Sequence, residues 1–300
     1  MKQRTIKKVI FIKGKGLHTG KKIQLKMLPA IKNTGIIYRR VDLFPNIEFN
    51  MNIDMISTKV PLCTCLENRQ NIRIYTIEHL NAAIAALGID NVIIEVDAPE
   101  IPIMDGSASP FIFFILQSGI QELEEKKKFL KIKKQVSVYE EDKMVQLSPY
   151  EGNVLEFTID FKHPKIKKKF NSFSIKFSTF SFIKEIGSAR TFGFTRDIPY
   201  LHSLGMALGA NFDCVVALNE KKILNKEGLR FKNEFVRHKI LDAFGDLYVS
   251  GYNIIGRYTG FKSSHKMNNK LLKLLFKDEK NWEIISYNSE KNVPISFSYS

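Results

Sequence analysis

Long apolar runs are missing from this chain. Nothing approaches the eighteen or so consecutive apolar residues that a membrane-crossing helix needs, and residues 112–116 stop far short. Cysteine is scarce too: three in 300 residues, Cys63, Cys65 and Cys214, exclude a disulfide framework. Cys63 and Cys65 alternate as in a strand and would leave the same face, but no second pair exists to close a four-cysteine metal site. Buried, reduced thiols are the expectation. No phosphate-cradling GxxxxGK loop occurs, and Gly14-x-Gly16 does not extend to GxGxxG, so nucleoside triphosphate chemistry is unsupported. No serine sits in a GxSxG elbow. After Met1-Lys-Gln-Arg-Thr-Ile-Lys-Lys the apolar core of a secretory leader is also missing, and the chain is expected in the cytoplasm.

Acid is short relative to base. The 46 Lys and Arg face 31 Asp and Glu, for a formal charge of +15. That balance suits nucleic acid, but the excess is nearly all lysine, spread along the chain and outnumbering arginine more than three to one. Base-edge reading favours arginine, and stacking modules need aromatics interleaved on one sheet face; neither is evident. A phosphate-bearing small substrate or transient contact with an anionic membrane surface accounts for the charge equally well.

What is present describes a globular protein, 44% apolar and 26% charged, long enough for two domains with their own cores. Apolar alternation predicts strands over residues 5–12 and 22–27, with a third candidate over 35–40 and an apolar strand over 91–96. Thr76 is the expected N-cap of a helix through Leu87, closed by Gly88, and a second helix is expected over 107–116 before Gly119. The charged stretch 122–128 reads as a linker. Beyond it come strands over 129–139, 144–148 and 154–161, a solvated basic interruption containing His163 (163–171), and helices over 177–186 and 198–203. A strand at 214–218, a long helix over 233–249, a strand over 253–262 and a helix over 265–276 complete the pattern.

The chemistry concentrates in the long helix. His238, Asp242 and Asp246 recur every four residues and so share one face, while Phe235, Val236, Ile240 and Leu241 argue that the helix is buried. A solvated polar face is the plain reading of such spacing, yet buried charges need partners, and a divalent cation would supply one. Glu78-His79 opens the earlier helix, where a Glu is also favoured by the helix dipole alone. Neighbouring helical positions diverge by about 100°, so His79 could face a metal while Glu78 reaches its water. His265 stands at a strand-to-helix junction, either as an ordinary helix-start residue or projecting into a cleft. Residues 189–194, Ala-Arg-Thr-Phe-Gly-Phe, form a polar turn packed by two Phe rings. Together the His and acid residues could make a hydrolytic zinc site with three protein ligands and a carboxylate to take a proton from water.

These segments resemble the zinc-dependent UDP-3-O-acyl-N-acetylglucosamine deacetylases, which carry out the committed step of lipid A synthesis. The resemblance rests on Gly16-Leu-His-Thr-Gly20, Thr76-Ile-Glu-His-Leu-Asn81, Ala98-Pro-Glu-Ile-Pro-Ile-Met-Asp-Gly-Ser107, Ala189-Arg-Thr-Phe-Gly-Phe194, residues 235–246 and Gly260-Phe-Lys-Ser-Ser-His265. It spans about residues 3–276 and is loosest over 195–216. The resemblance implies an α+β protein of two similar domains, 1–125 and 126–300, each a layered sandwich of two sheets around helices, with the active site between them. It implies one Zn2+ per chain on His79, His238 and Asp242, a position that Fe2+ could also fill. It makes Glu78 the general base, His265 the general acid, Asp246 the group that orients and charges His265, and Thr191 an oxyanion donor. Lys239 and Lys262 would meet the diphosphate, and Asp160 and Phe161 the uridine. A passage over residues 192–212, with Phe192, Phe194, Ile198 and Phe212, would take the acyl chain.

Two rival readings remain. A basic nucleic-acid-binding protein would use the His/Asp group as a structural metal site, but such sites are usually closed by four ligands including Cys. A deacetylase for another acylated sugar or a peptide would differ only in its pocket. Oligomeric state and preferred acyl length leave no signal in the sequence.

Overall fold

Alternating apolar and polar residues make most of the first half into strands. The computed structural model, which describes residues 1–299, has mixed α+β structure with six α-helices among the described residues. β1 (Lys2–Ile6) and β2 (Ile10–Lys15) replace the single strand expected over 5–12, because residues 7–9 swing out to solvent. β3 (Lys22–Pro29), β4 (Ile36–Arg40), β5 (Ile47–Asn50) and the short β6 (Leu66–Glu67) and β7 (Arg73–Ile74) lead to α1 (Glu78–Ala86). β8 (Val92–Val96), α2 (Ser109–Ser118) and β9 (Ile120–Lys126) follow. Five strands join in the order β2-β3-β8-β4-β5, with β8 antiparallel to β3 and parallel to β4. Period-two patterning turns Ile23, Leu25 and Met27 of β3 inward.

Two further expectations fail in this half. The stretch 122–128 is no linker. Most of it forms β9, which pairs antiparallel with β1, and its Lys127 is buried against Asp90 at 2.5 Å and under the Phe297 ring at 4.9 Å. Thr76 is not an N-cap either: it has φ 60° and sends its hydroxyl to Glu100 at 3.1 Å, leaving Ile77 to start the helix.

The remaining strands are β10 (Phe129–Ile132), β11 (Val136–Glu140), β12 (Lys143–Ser148), β13 (Asn153–Thr158) and β14 (Ser172–Lys176). The strand expected over 129–139 is thus broken into two. α3 (Thr179–Glu185) starts at a Ser178 capping box, followed by β15 (Phe192–Phe194), α4 (Ile198–Ser203) and β16 (Val216–Leu218). α5 (Glu234–Leu247), β17 (Asn253–Phe261), α6 (His265–Phe276) and β18 (Trp282–Ile285) end the order. A seven-stranded sheet runs β11-β12-β17-β10-β18, with β13 on β17 and β14 on β13.

The site is positioned by one helix crossing. α1 is buried along its whole length, and its run of Ala82, Ala83, Ala85 and Ala86 lets α5 come close. Contact is tightest at Gly245, where a Cβ would lie 1.9 Å from the Glu78 carbonyl oxygen. Only a residue without a side chain allows that approach, and it sets Glu78 and His79 beside the polar face of α5. No helix among the described residues is long and apolar enough to cross a membrane.

Candidate active site

α5 is apolar on the faces that pack, and its four-residue spacing carries the polar groups to the remaining one. His238 Nε2 and Asp242 Oδ1, one turn apart, stand 3.1 Å from each other. From α1, His79 brings its Nε2 to 3.5 Å from the same oxygen. The two imidazoles meet edge-on, with ring centroids 5.0 Å apart. All three residues are buried, and one ligand atom from each lies within 4.8 Å of the others.

Their hydrogen bonding fits a cation. A carbonyl only accepts, so the 3.0 Å contact of His238 Nδ1 with Ala189 O places a proton on Nδ1 and turns Nε2 toward Asp242 Oδ1. Asp242 Oδ1 has no hydrogen-bond donor, and His79 Nδ1 is also unpartnered among the described residues. A buried carboxylate oxygen without a donor is unfavourable, and a positive ion held between it and the two imidazoles would satisfy it. Burial holds the His79 imidazole below its ordinary 6.5, neutral and able to ligate. The three residues form a buried group able to hold a metal ion.

Glu78, Asp246 and His265 form a second layer around it. Ser264 caps α6, accepting from Met267 N, and this places His265 at the helix mouth. Its Nδ1 lies 2.9 and 3.0 Å from the two Asp246 oxygens. Its Nε2 reaches to 3.9 Å from Glu78 Oε1 and 3.9 Å from Asp242 Oδ2. Asp246 also accepts from Thr64 Oγ1 at 2.6 Å and Asn268 Nδ2 at 2.7 Å, while Thr64 N donates to Glu78 Oε2 at 3.0 Å. Burial opposes the charge on His265, but Asp246, then Asp242 and Glu78, outweigh it and lift the imidazole to about 9. Burial pushes Glu78 up to about 8, against the pull of His265 and with the help of Asp246 and Asp242. The result is a cationic acid beside a carboxyl near its midpoint, a pairing suited to proton transfer.

The other expected residues spread outward from this centre. Lys239 Nζ bonds Asp242 Oδ2 at 2.6 Å; burial would discharge it, but Asp242, Asp246 and Glu78 outweigh burial and raise it above its ordinary value. Lys262 lies between Asp142 at 2.6 Å and Asp160 at 2.8 Å. Phe161 packs edge-on against Phe192 at 5.5 Å and beside Phe194 at 5.8 Å, and Phe192 in turn lies 6.3 Å from the His238 ring. Thr191 sits between Ala189 and Phe192, both against His238, though its hydroxyl makes no hydrogen bond among the described residues. Ile198 is half-buried at the start of α4, and Phe212 stands 55% exposed with no contact to the centre. His163, expected in a solvated loop, instead bonds Asn219 O at 2.7 Å. Cys63 and Cys65 are buried thiols outside any strand.

Sequence reasoning missed Thr64, Asn268 and the Ala189 carbonyl. Asn268 was within reach, since it falls three residues after His265 on the same helix. Thr64 gave no signal, because its contact with Asp246 spans 182 positions.

The model of the UDP-3-O-acyl N-acetylglycosamine deacetylase family matches residues 3–277. This chain belongs to that family. It is 53% identical over 297 residues to the UDP-3-O-acyl-N-acetylglucosamine deacetylase of Sodalis glossinidius (strain morsitans), covering 99% of this chain and 97% of the relative. It is 55% identical over 300 residues to the enzyme of the same description from Hamiltonella defensa subsp. Acyrthosiphon pisum (strain 5AT), covering 100% and 97%. The match to the deacetylase family spans both helices that carry the buried His/Asp group.

Proposed function

We propose that this chain hydrolyses the N-acetyl group of UDP-3-O-acyl-N-acetylglucosamine, giving UDP-3-O-acyl-glucosamine and acetate, as the committed step of lipid A biosynthesis. The observation that carries the reading is a metal-competent group, His79, His238 and Asp242, with Glu78 and the Asp246-paired His265 at its edge, 3.9 Å from each other. His79, His238 and Asp242 would hold one Zn2+, and Fe2+ suits the same donors. When bound, the ion supplies polarisation of the acetamide carbonyl and a more acidic water.

The chain's own residues do the rest. Glu78 accepts the proton of the attacking water. The Thr191 hydroxyl donates to the oxygen that gains charge. His265, kept cationic by Asp246, gives its proton to the departing amine. Lys239 and Lys262 meet the diphosphate, Asp160 and Phe161 the uridine, and Phe192, Phe194, Ile198 and Phe212 line the way for the acyl chain. The packing of Phe192 and Phe194 against Phe161, the first edge-on and the second tilted, supports that last assignment. No Cys joins the metal group, which favours an open catalytic site over a closed structural one.

We read residues 1–125 and 126–300 as two domains, each a sandwich of sheets around helices, with the site between them. The separate five- and seven-stranded sheets support this, as does the supply of Glu78 and His79 by α1 and the rest by α5 and α6. Three free, buried thiols suit a reducing cytoplasm. The test is acetate release from UDP-3-O-acyl-N-acetylglucosamine, lost on chelation and restored by zinc. Glu78→Ala and His265→Ala should each lose about 10²–10⁴-fold in turnover while remaining folded. Near-normal rates in either variant would remove its assigned role.

A further inference from the structure

Between β13 and β14 the chain leaves the sheet and returns through residues 159–171, a loop carrying Lys162, Lys165, Lys167, Lys168 and Lys169, all exposed. The loop is held in shape. His163 donates from Nε2 to Asn219 O at 2.7 Å and accepts at Nδ1 from Lys165 N at 3.1 Å. Ile166 is buried beneath it, and Asn171 N closes on Lys168 O at 3.1 Å. None of the five ammonium groups has a carboxylate within ion-pair distance among the described residues, and Lys169 lies 5.0 Å from the Phe170 ring. Like charges held together without a close counter-ion repel, so the cluster gains from an anion supplied from outside.

Its base borders the site. Asp160 and Phe161, immediately before Lys162, line a 390 Å³ cavity together with Asp142, Lys143, Lys239 and Lys262. The cavity's own cations are partly spent: Lys262 is shared by Asp142 and Asp160, and Lys239 by Asp242. The loop lysines are not. Lys262 above all, then Lys162 and Lys168, pull the Asp160 carboxyl below its ordinary value, so the cluster's field reaches the cavity wall.

We propose that loop 162–169 is an anion-gathering arm that draws the phosphate-bearing end of the substrate to this cavity and raises the rate of encounter without touching the reacting atoms. The inference rests on the reading of the cavity as the nucleotide end of the site. Exposed charges act over a Debye length of about 8–10 Å and are screened by salt, which makes the arm a kinetic device.

The test replaces Lys162, Lys165, Lys167 and Lys168 with Ser in the full chain, after a thermal melt confirms the fold. With UDP as the probe in stopped flow, the variant should associate about threefold to tenfold more slowly at low salt and match the parent near ~0.5 M salt. Turnover at saturating substrate should be unchanged. Equal association rates and equal salt dependence in parent and variant would overturn the proposal. Binding to phosphatidylglycerol vesicles separates the other source of phosphate: if the substitutions weaken vesicle binding but leave UDP association untouched, the arm serves lipid headgroups and the proposal fails. If UDP association responds as expected while no acetate is released, the arm stands and the assigned reaction falls.

Discussion

Replacing Asp246 by Asn removes one negative charge with almost no change in shape, and its effect can be worked from the structure. His265 rises from its model-peptide 6.5 to about 9 in the folded protein, which corresponds to about 3 kcal/mol in favour of the imidazolium. Burial opposes that charge, and Asp246 is the largest of the groups that overcome it. In Asp246→Asn the imidazole should therefore fall back by about 1–2 pH units, leaving roughly 3–25% of it in the proton-donating form at pH ~8.5, against roughly three quarters in the parent. In the proposed role of general acid His265 must be protonated, so rate is lost as pH rises through its midpoint. The assay is kcat/KM against pH: the alkaline limb should move down by that amount, while activity at acid pH falls far less. The carboxamide also sets an N–H against either Thr64 Oγ1 or Asn268 Nδ2, both donors here, so about 1–3 kcal/mol of stability should go as well. A thermal melt measures that part independently. A uniform drop at every pH, with the alkaline limb in place, would mean that Asp246 serves packing and does not tune the acid.

Three further outcomes follow from contacts away from the reacting centre. Glu234, fully buried, accepts from Arg190 N at 3.0 Å and Arg190 Nε at 2.9 Å, next to the Ala189 carbonyl that orients His238; Glu234→Gln should weaken zinc binding about 10- to 100-fold by chelator competition, and unchanged affinity would refute the link. Gly245→Ala forces a methyl group against the Glu78 carbonyl, so a loss of about 3 kcal/mol or more is expected in denaturant unfolding, and a neutral result would show that the helices can part. Lys127→Met leaves the part-buried Asp90 without its buried cation and should cost about 2–4 kcal/mol, read from the shift in the urea midpoint; a loss under about 1 kcal/mol would mean that the pair is solvated.

The sequence was most legible where one period governs several residues. His238, Asp242 and Asp246 share a face because a helix repeats every 3.6 residues, and apolar neighbours marked that helix as buried. β3 was equally clear from alternation and β8 from its short apolar run. Stretch 122–128 misled because β9 sits on β1 in a two-stranded ribbon, where most side chains stay in water and the apolar signal is lost. β5, β14 and β18 escaped notice for the related reason that short strands keep few residues inward. Thr76 resembled a cap, but tertiary hydrogen bonding to Glu100 took its hydroxyl. Thr64 and Ala189 act through a backbone position or one distant contact, and no local pattern encodes either.

The crossing at Gly245 has a consequence for how the molecule comes together. One member of the metal-competent group hangs from α1 and two from α5, so neither helix alone presents all three donors. Were the backbone severed in a loop between them, the fragments would have to mate along that glycine seam before either could retain an ion. Recovery of metal from mixed fragments would then report re-association directly, with no need of a substrate.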